Sequence, residues 1–298
     1  MFIDIHAHAY RRPVPFVTQF CSARELLARY DEAGIEKGFV LPVVNSEIYL
    51  PQSNEDVLEM AEDYPGRIIP FCNVDPRAIS NSSNARLDLV LQYYKDRGCK
   101  GVGEIMPNLP MLDPRVQNLF ACAEKVGLPV TTDGSMVLGG DFGLFDEPGL
   151  PQLEYTLARF PELRFIAHGP VFWGELGGYD TPAQRKPVML PDGTQTPFFP
   201  PRGPLSGESV IHSLFRRFPL LMGELSDSFI VLDCDHVYAS RFITEFQDRL
   251  MFGTDICGAT HPFKIRELLL DLRNERLISE TVFQKVARLN AIRYFNLE

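Results

Sequence analysis

Two histidines separated by a single small residue, His6 and His8 in MFIDIHAHAY, are the first side chains in this chain equipped for chemistry. They close a short apolar run. If Phe2 to Ile5 open a strand, residues two apart share a face, and both imidazoles converge at its C-terminal end. Two imidazoles facing one point are donors for zinc or a related divalent ion. Other metal-ligand types stand at the ends of later apolar runs: Glu104 in GVGEI, Asp133 in VTTDG, His168 in RFIAHGP, Glu224 and Asp227 in LLMGELSD, and Asp255 in FGTD. A carboxylate inside an apolar strand, as at Glu104, is costly to bury unless a cation or an arginine compensates it. Asp255 offers a hard oxygen ligand that also accepts a proton from bound water, with helix capping as its other reading. Asp133 reads as a ligand or as the first residue of an Asp-Gly turn. His168 reads as a site residue or as a satisfied histidine near the core. His212, His236 and His261 lack strand-end context, so surface or packing roles are expected for them.

The apolar runs alternate with amphipathic stretches. Helices are expected near Ala23 to Ala33, from Ser53 or Asn54 onward, Ala85 to Arg97, after Asp113-Pro114 up to Gly127, Gln152 to Arg159, Val210 to Arg217, Ser240 to Asp248, Phe263 to Asn274 and Glu280 to Phe295. Asp caps, first-turn Pro and terminal Gly mark several of these boundaries. Eight strand-then-helix units imply parallel strands and an α/β fold, a single (β/α)8 TIM barrel over residues 1–298. An open doubly wound sheet is the alternative, but no Gly-x-Gly-x-x-Gly follows the first strand. In a barrel the active site lies at the C-terminal strand ends, where the residues above stand. Residues 170–206 are so rich in Pro and Gly that an irregular active-site loop after strand 6 is expected. In it Trp173 and Arg202 are the candidate substrate-binding residues, alongside Glu175, Arg185 and Lys186, with ordinary loop surface as the other reading of each.

Bulk properties narrow the class. A net charge of −10 argues against nucleic acid and anionic membrane surfaces as partners and leaves a small-molecule substrate. No apolar run reaches the roughly 20 residues that cross a bilayer. The N-terminus has an acid at position 4 and no apolar signal core, and the six cysteines form no Cys-x-x-Cys pair; a cytoplasmic location is expected.

The chain resembles the amidohydrolase superfamily, specifically the amidohydrolase 2 branch related to aminocarboxymuconate semialdehyde decarboxylase. DIHAHAY, GVGEI, FIAHGPVFWGEL and RLMFGTDIC carry the resemblance in the expected order over the whole chain. It implies a divalent metal, most often zinc, held by His6, His8 and Asp255, with His168 acting on water or substrate or binding a second metal. It implies a homodimer as one assembly. Members usually carry a metal-binding histidine at the end of strand 5, where this chain has Asp133. Either Glu104 takes over as the missing ligand, or Asp133 binds as an oxygen donor and shifts preference toward manganese. One metal through His6, His8, Glu104 and Asp255, with His168 nearby, is the favoured arrangement. A second, weaker site would use Asp133 and His168. The leading expectation is hydrolysis of an amide, lactone or ester by metal-activated water, with Asp255 or His168 moving the proton. Nonoxidative decarboxylation of a small carboxylic acid is the alternative, and a non-catalytic ligand-binding barrel the third reading.

Overall fold

A computed structural model describes residues 1–12, 20–48, 52–139, 142–177, 188–189, 195–196 and 204–297. Its eight main strands are β1 (Phe2–Ala7), β2 (Ile35–Val40), β3 (Ile68–Pro70), β4 (Val102–Ile105), β5 (Val130–Thr132), β6 (Phe165–Ala167), β7 (Leu221–Glu224) and β8 (Leu250–Met251). Neighbours pair in parallel from β1 to β3 and from β4 to β8. Two seams close the circle. A parallel bridge joins Cys72, just past β3, to Val102 of β4, and another joins Ala7 of β1 to Ile256, just past β8. Backbone bonds from Gly103 N to Cys72 O (2.8 Å) and from Ile5 N to Phe252 O (3.0 Å) reinforce them. The chain is therefore a (β/α)8 barrel, its three- and five-stranded sheets joined at both seams.

The barrel has two apolar layers. Ile3, Ile5, Phe39, Phe71, Ile166, Met222 and Met251 fill its interior, with Ala291 and Phe295 of the last helix joining them. A larger shell, including Phe2, Val40, Val102, Val130 and Phe165, packs outward against the helices. Strict alternation would put Ile5 and His6 on opposite faces. The β1–β2 register slips between Asp4 and Ala7, so Ile5 joins the interior layer while His6 still turns toward the barrel axis, where it meets residues of four other strand ends. One irregularity thus converts a hydrophobic strand into a ligand-bearing mouth.

Local signals set the helix boundaries. Ser22 and Glu25 form a capping box on α1 (Ala23–Ala33), as Ser53 and Asp56 do on α2 (Asn54–Asp63). Asp113 caps and Pro114 opens the helix Pro114–Val126, and Gly127 ends it at φ 75°. The expected helix over Ser240 to Asp248 instead runs His236–Glu245, because the Asp235 side chain caps it by accepting from Tyr238 N. The helix expected from Glu280 to Phe295 is interrupted by a π turn, Lys285–Leu289. The segment after β6 is not irregular from its start: Gly169–Gly174 is helical and Glu175–Gly177 a 3-10 turn. Pro170 fits there because the first turn needs no N–H from it. Among the described residues no helix is long and apolar enough to cross a membrane.

Candidate metal and active site

The barrel mouth brings together His6 from β1, His8 just past it, Glu104 from β4, His168 after β6, Glu224 from β7 and Asp255 after β8. His6 Nε2 lies 3.2 Å from His8 Nε2. Glu104 Oε2 stands 3.4 Å from the first and 3.3 Å from the second; Asp255 Oδ1 stands 3.5 and 3.2 Å from them. Each of these five separations is close to the roughly 3.3–3.4 Å expected between donors placed tetrahedrally at zinc bond lengths of about 2.0–2.1 Å. His8 Nδ1 meets Leu41 O at 2.8 Å, which leaves Nε2 as its ligand atom when that nitrogen carries the proton. Asp255 holds a left-handed backbone (φ 49°), rare for a residue with a side chain. Its N–H donates to His6 O at 2.9 Å, which turns the side chain back over the two histidines.

The electrostatics match the geometry. Burial alone would raise the Glu104 carboxyl, but His6, His168 and His8 around it hold it well below the usual carboxylate range. Burial likewise opposes protonation of the imidazoles, yet the carboxylates push His6 up to about 9 and His8 up to about 10. The clustered carboxylates favour positive charge among them, which a divalent ion would supply in place of those protons. The residues therefore fit a divalent metal. A group of donor atoms from His6, Glu104, His168 and Asp255 lies within 4.8 Å, as does one from His8, Asp255 and Cys257.

His168 sits beside the cluster. Its Nε2 is 3.3 Å from Glu104 Oε1, the oxygen not shared with His6 and His8, and 3.9 Å from Asp227 Oδ2. Its Nδ1 is bonded to Glu224 Oε2. Burial, reinforced by the nearby Asp255 and Glu224 charges and opposed by His168, pushes Asp227 up to about 7. Above the cluster opens a cavity of about 490 Å³, walled by Phe20, Val43, Ile48, Met106, Phe142 and Pro170, with His8, Glu104, His168, Asp255, Asp133, Asp227 and Cys257 as its polar lining. No Lys or Arg lines it among the described residues.

Asp133 reaches this cavity but lies outside both groups of converging donors. Its Oδ1 accepts from Gly134 N at 2.7 Å, and a Cβ at Gly169 would come within 2.2 Å of that oxygen. Trp173, expected against substrate, is instead fully buried beneath the site: its Nε1 donates to Glu224 O at 2.7 Å and its ring packs on Phe172 and Phe242. Glycine at 223 makes room for it, since a Cβ there would meet the ring at 2.8 Å. Arg202, with Arg185 and Lys186, lies outside the described residues. His212 and His236 are off the site, as expected: His212 packs among Tyr238, Phe242 and Phe246, and His236 pairs with Glu275 and Asp233. His261 is absent from the cavity lining.

Of two supporting residues, one escaped sequence reasoning and the other stood out only by its position. Asp4 is fully buried and accepts from His6 N (3.0 Å), Thr254 N (2.9 Å), Thr254 Oγ1 (2.6 Å) and Tyr30 OH (2.8 Å), which ties the β1 end to the residue before Asp255. Burial pushes its carboxyl up to about 7, against its bonds to the Thr254 hydroxyl, His6 N and Tyr30 OH. Glu224, seen only as a strand-end carboxylate, lies below the cluster rather than in it, between His168 and His6.

The sequence profile of the amidohydrolase family matches residues 3–297. No curated protein matches the chain. Among solved structures, an uncharacterised TIM-barrel protein from Bordetella bronchiseptica is 19% identical, with a TM-score of 0.62 over 99% of this chain and 98% of that one. A 5-carboxyvanillate decarboxylase from Novosphingobium aromaticivorans, complexed with manganese and 4-hydroxy-3-methoxy-5-nitrobenzoic acid, is 14% identical, with a TM-score of 0.62 over 100% and 96%. A 2,6-dihydroxybenzoate decarboxylase from Rhizobium is 16% identical, with a TM-score of 0.60 over 99% and 98%. Likeness at these identities establishes the fold.

Proposed function

The chain belongs to the amidohydrolase family, and on that premise we propose that it is a metal-dependent nonoxidative decarboxylase of a small cyclic carboxylic acid. The observation that carries this reading is one cavity with His6, His8, Glu104 and Asp255 converging at its floor and His168 Nε2 beside them. A divalent ion held there by His6, His8, Glu104 and Asp255 would supply positive charge against the negative charge of the substrate. The apolar walls hold a ring and keep water from it, which strengthens every electrostatic contact inside. His168, with Nδ1 tied to Glu224, presents Nε2 as the proton donor. Proton transfer from Nε2 to the carboxyl-bearing carbon forms a C–H bond. The C–C bond then breaks, its electron pair returns to the ring, carbon dioxide leaves, and His168 regains a proton from solvent.

Hydrolysis, the leading expectation from sequence, has less support. Decarboxylases recur among the solved neighbours, beside a probable 2-pyrone-4,6-dicarboxylic acid hydrolase from Acinetobacter baumannii, and the Glu104 and Glu224 carboxylates, against the opposing effect of burial, hold His168 well above its ordinary value, which favours the protonated form a proton donor needs. For the ion we propose zinc or manganese: the donor spacing suits zinc, and one neighbour holds manganese. All six cysteines are free thiols, which supports a reducing compartment. The test is a panel of hydroxybenzoic and related cyclic acids, together with lactones and esters, given to protein loaded with zinc or manganese. Carbon dioxide release from an acid is expected. Turnover of lactones or esters with no carbon dioxide from any acid would replace this reading with hydrolysis.

A further inference from the structure

We propose that Glu224 is a positioning residue whose single oxygen Oε2 holds both the metal ligand His6 and the proton donor His168. The proposal rests on the metal reading above. A histidine that gives Nε2 to a metal carries its proton on Nδ1, and that N–H needs an acceptor. His8 has one in Leu41 O. His6 Nδ1 makes no hydrogen bond among the described residues and is fully buried; the carboxylate oxygen facing it is Glu224 Oε2, at 3.5 Å. The same oxygen accepts from His168 Nδ1, and the two rings lie 4.0 Å apart, centroid to centroid.

The surroundings are shaped for a carboxylate. Ser226 Oγ donates to Oε2 at 2.7 Å and Ser226 N donates to Oε1 at 2.6 Å. Trp173 Nε1 fixes the Glu224 carbonyl. Gly253 leaves the space Oε1 occupies, since a Cβ there would come within 2.0 Å of it. Every polar group aimed at the carboxylate is then a donor, so an amide in its place must set its NH2 against one of them. Ion uptake and proton delivery are thereby coupled: the oxygen that orients the ligand also orients the acid.

The test uses the metal alone. Protein stripped with chelator is titrated with zinc and with manganese by calorimetry, wild type against Glu224→Gln and Glu224→Asp, with thermal melts confirming folding. Glu224→Gln should weaken metal affinity about 10- to 100-fold, as loss of a ligand's hydrogen-bond partner does, and Glu224→Asp should recover part of it. A folded Glu224→Gln with affinity within twofold of wild type overturns the proposal. Nitrogen-15 spectra of the histidine rings in the wild type test it without any variant. Zinc should bring a solvent-protected Nδ1 proton on His6, alongside one on His168; metal uptake without a protected His6 proton overturns it as well. A wild type that binds neither ion overturns the metal reading and the His6 half together. The His168 proton then decides the other half.

Discussion

Asp4 offers the sharpest test of how the two ends of the barrel sheet are tied into one site. It is fully buried, and four donors converge on it. Asp4→Ala removes all four acceptor contacts, but the losses are unequal. Thr254 N also reaches His6 O at 3.3 Å and Thr254 Oγ1 reaches it at 3.5 Å, so that residue keeps an alternative. His6 N–H and Tyr30 O–H are left with none among the bonds described. At about 1–3 kcal/mol for each orphaned buried donor, the cost is about 2–6 kcal/mol, a large share of the roughly 5–15 kcal/mol that stabilises a typical domain. Asp4→Asn behaves differently. Its Oδ1 still accepts both backbone N–H groups, and its NH2 faces two hydroxyls, which rotate from donor to acceptor; the expected cost is about 1 kcal/mol or less. Urea denaturation of both variants, compared at equal slope, measures this. Asp4→Ala should also take up metal more weakly, because Asp4 joins the strand bearing His6 to the residue preceding Asp255. An Asp4→Ala variant within 1 kcal/mol of wild type, or an Asp4→Asn variant as damaged as the alanine, refutes the argument.

Three further outcomes are expected. His6→Ala together with His8→Ala should abolish the uptake of about one divalent ion per chain, measured by elemental analysis; unchanged content would end the metal assignment. Asp133→Asn should keep metal stoichiometry, since Asp133 lies outside the converging donors; a loss of more than half the metal would make it a ligand. His212 titrates below its ordinary 6.5 because burial disfavours its charged form, and its Nδ1 accepts from Ser209 N at 3.1 Å. The unfolded chain therefore binds more protons than the folded one below about pH 6.5, so stability is full above that pH and falls as pH drops through the folded value. Melting temperatures from pH 7.5 down to 5 should fall further for wild type than for His212→Asn, and parallel curves would contradict this.

The barrel could be read from the chain because its strands and helices are specified locally. Six of the eight strands are buried along their whole length, and Ser22, Ser53, Asp113 and Gly127 mark helix ends by contacts made within a few residues. The slip in β1 could not be read, since it depends on how β2 pairs with it. Trp173 misled for a related reason: a lone tryptophan among Gly and Pro looks exposed, yet the space it fills is created by Gly223, fifty residues later.

The site divides in the same way. Residues that stand at strand ends, His6, His8, Glu104, His168 and Asp255, announce themselves because the barrel turns chain position into spatial convergence. Residues that support them carry no such mark. Asp4 sits inside a strand like any misplaced acid, and its function exists only once Thr254 arrives from 250 positions away. Glu224 stands at a strand end and so resembles a ligand, but its carboxylate points below the donors because Gly253 leaves space there and Ser226 supplies two bonds. A recurring pattern does link it to the site. Gly103-Glu104 lies in β4 and Gly223-Glu224 closes β7, and each glycine lies where a Cβ would crowd a neighbouring element: Thr131 O at 2.9 Å for Gly103, the Trp173 ring at 2.8 Å for Gly223. In each case the barrel gives up a side chain on one residue so that the carboxylate beside it can be packed deep, Glu104 facing the converging donors and Glu224 lying between the His6 and His168 rings.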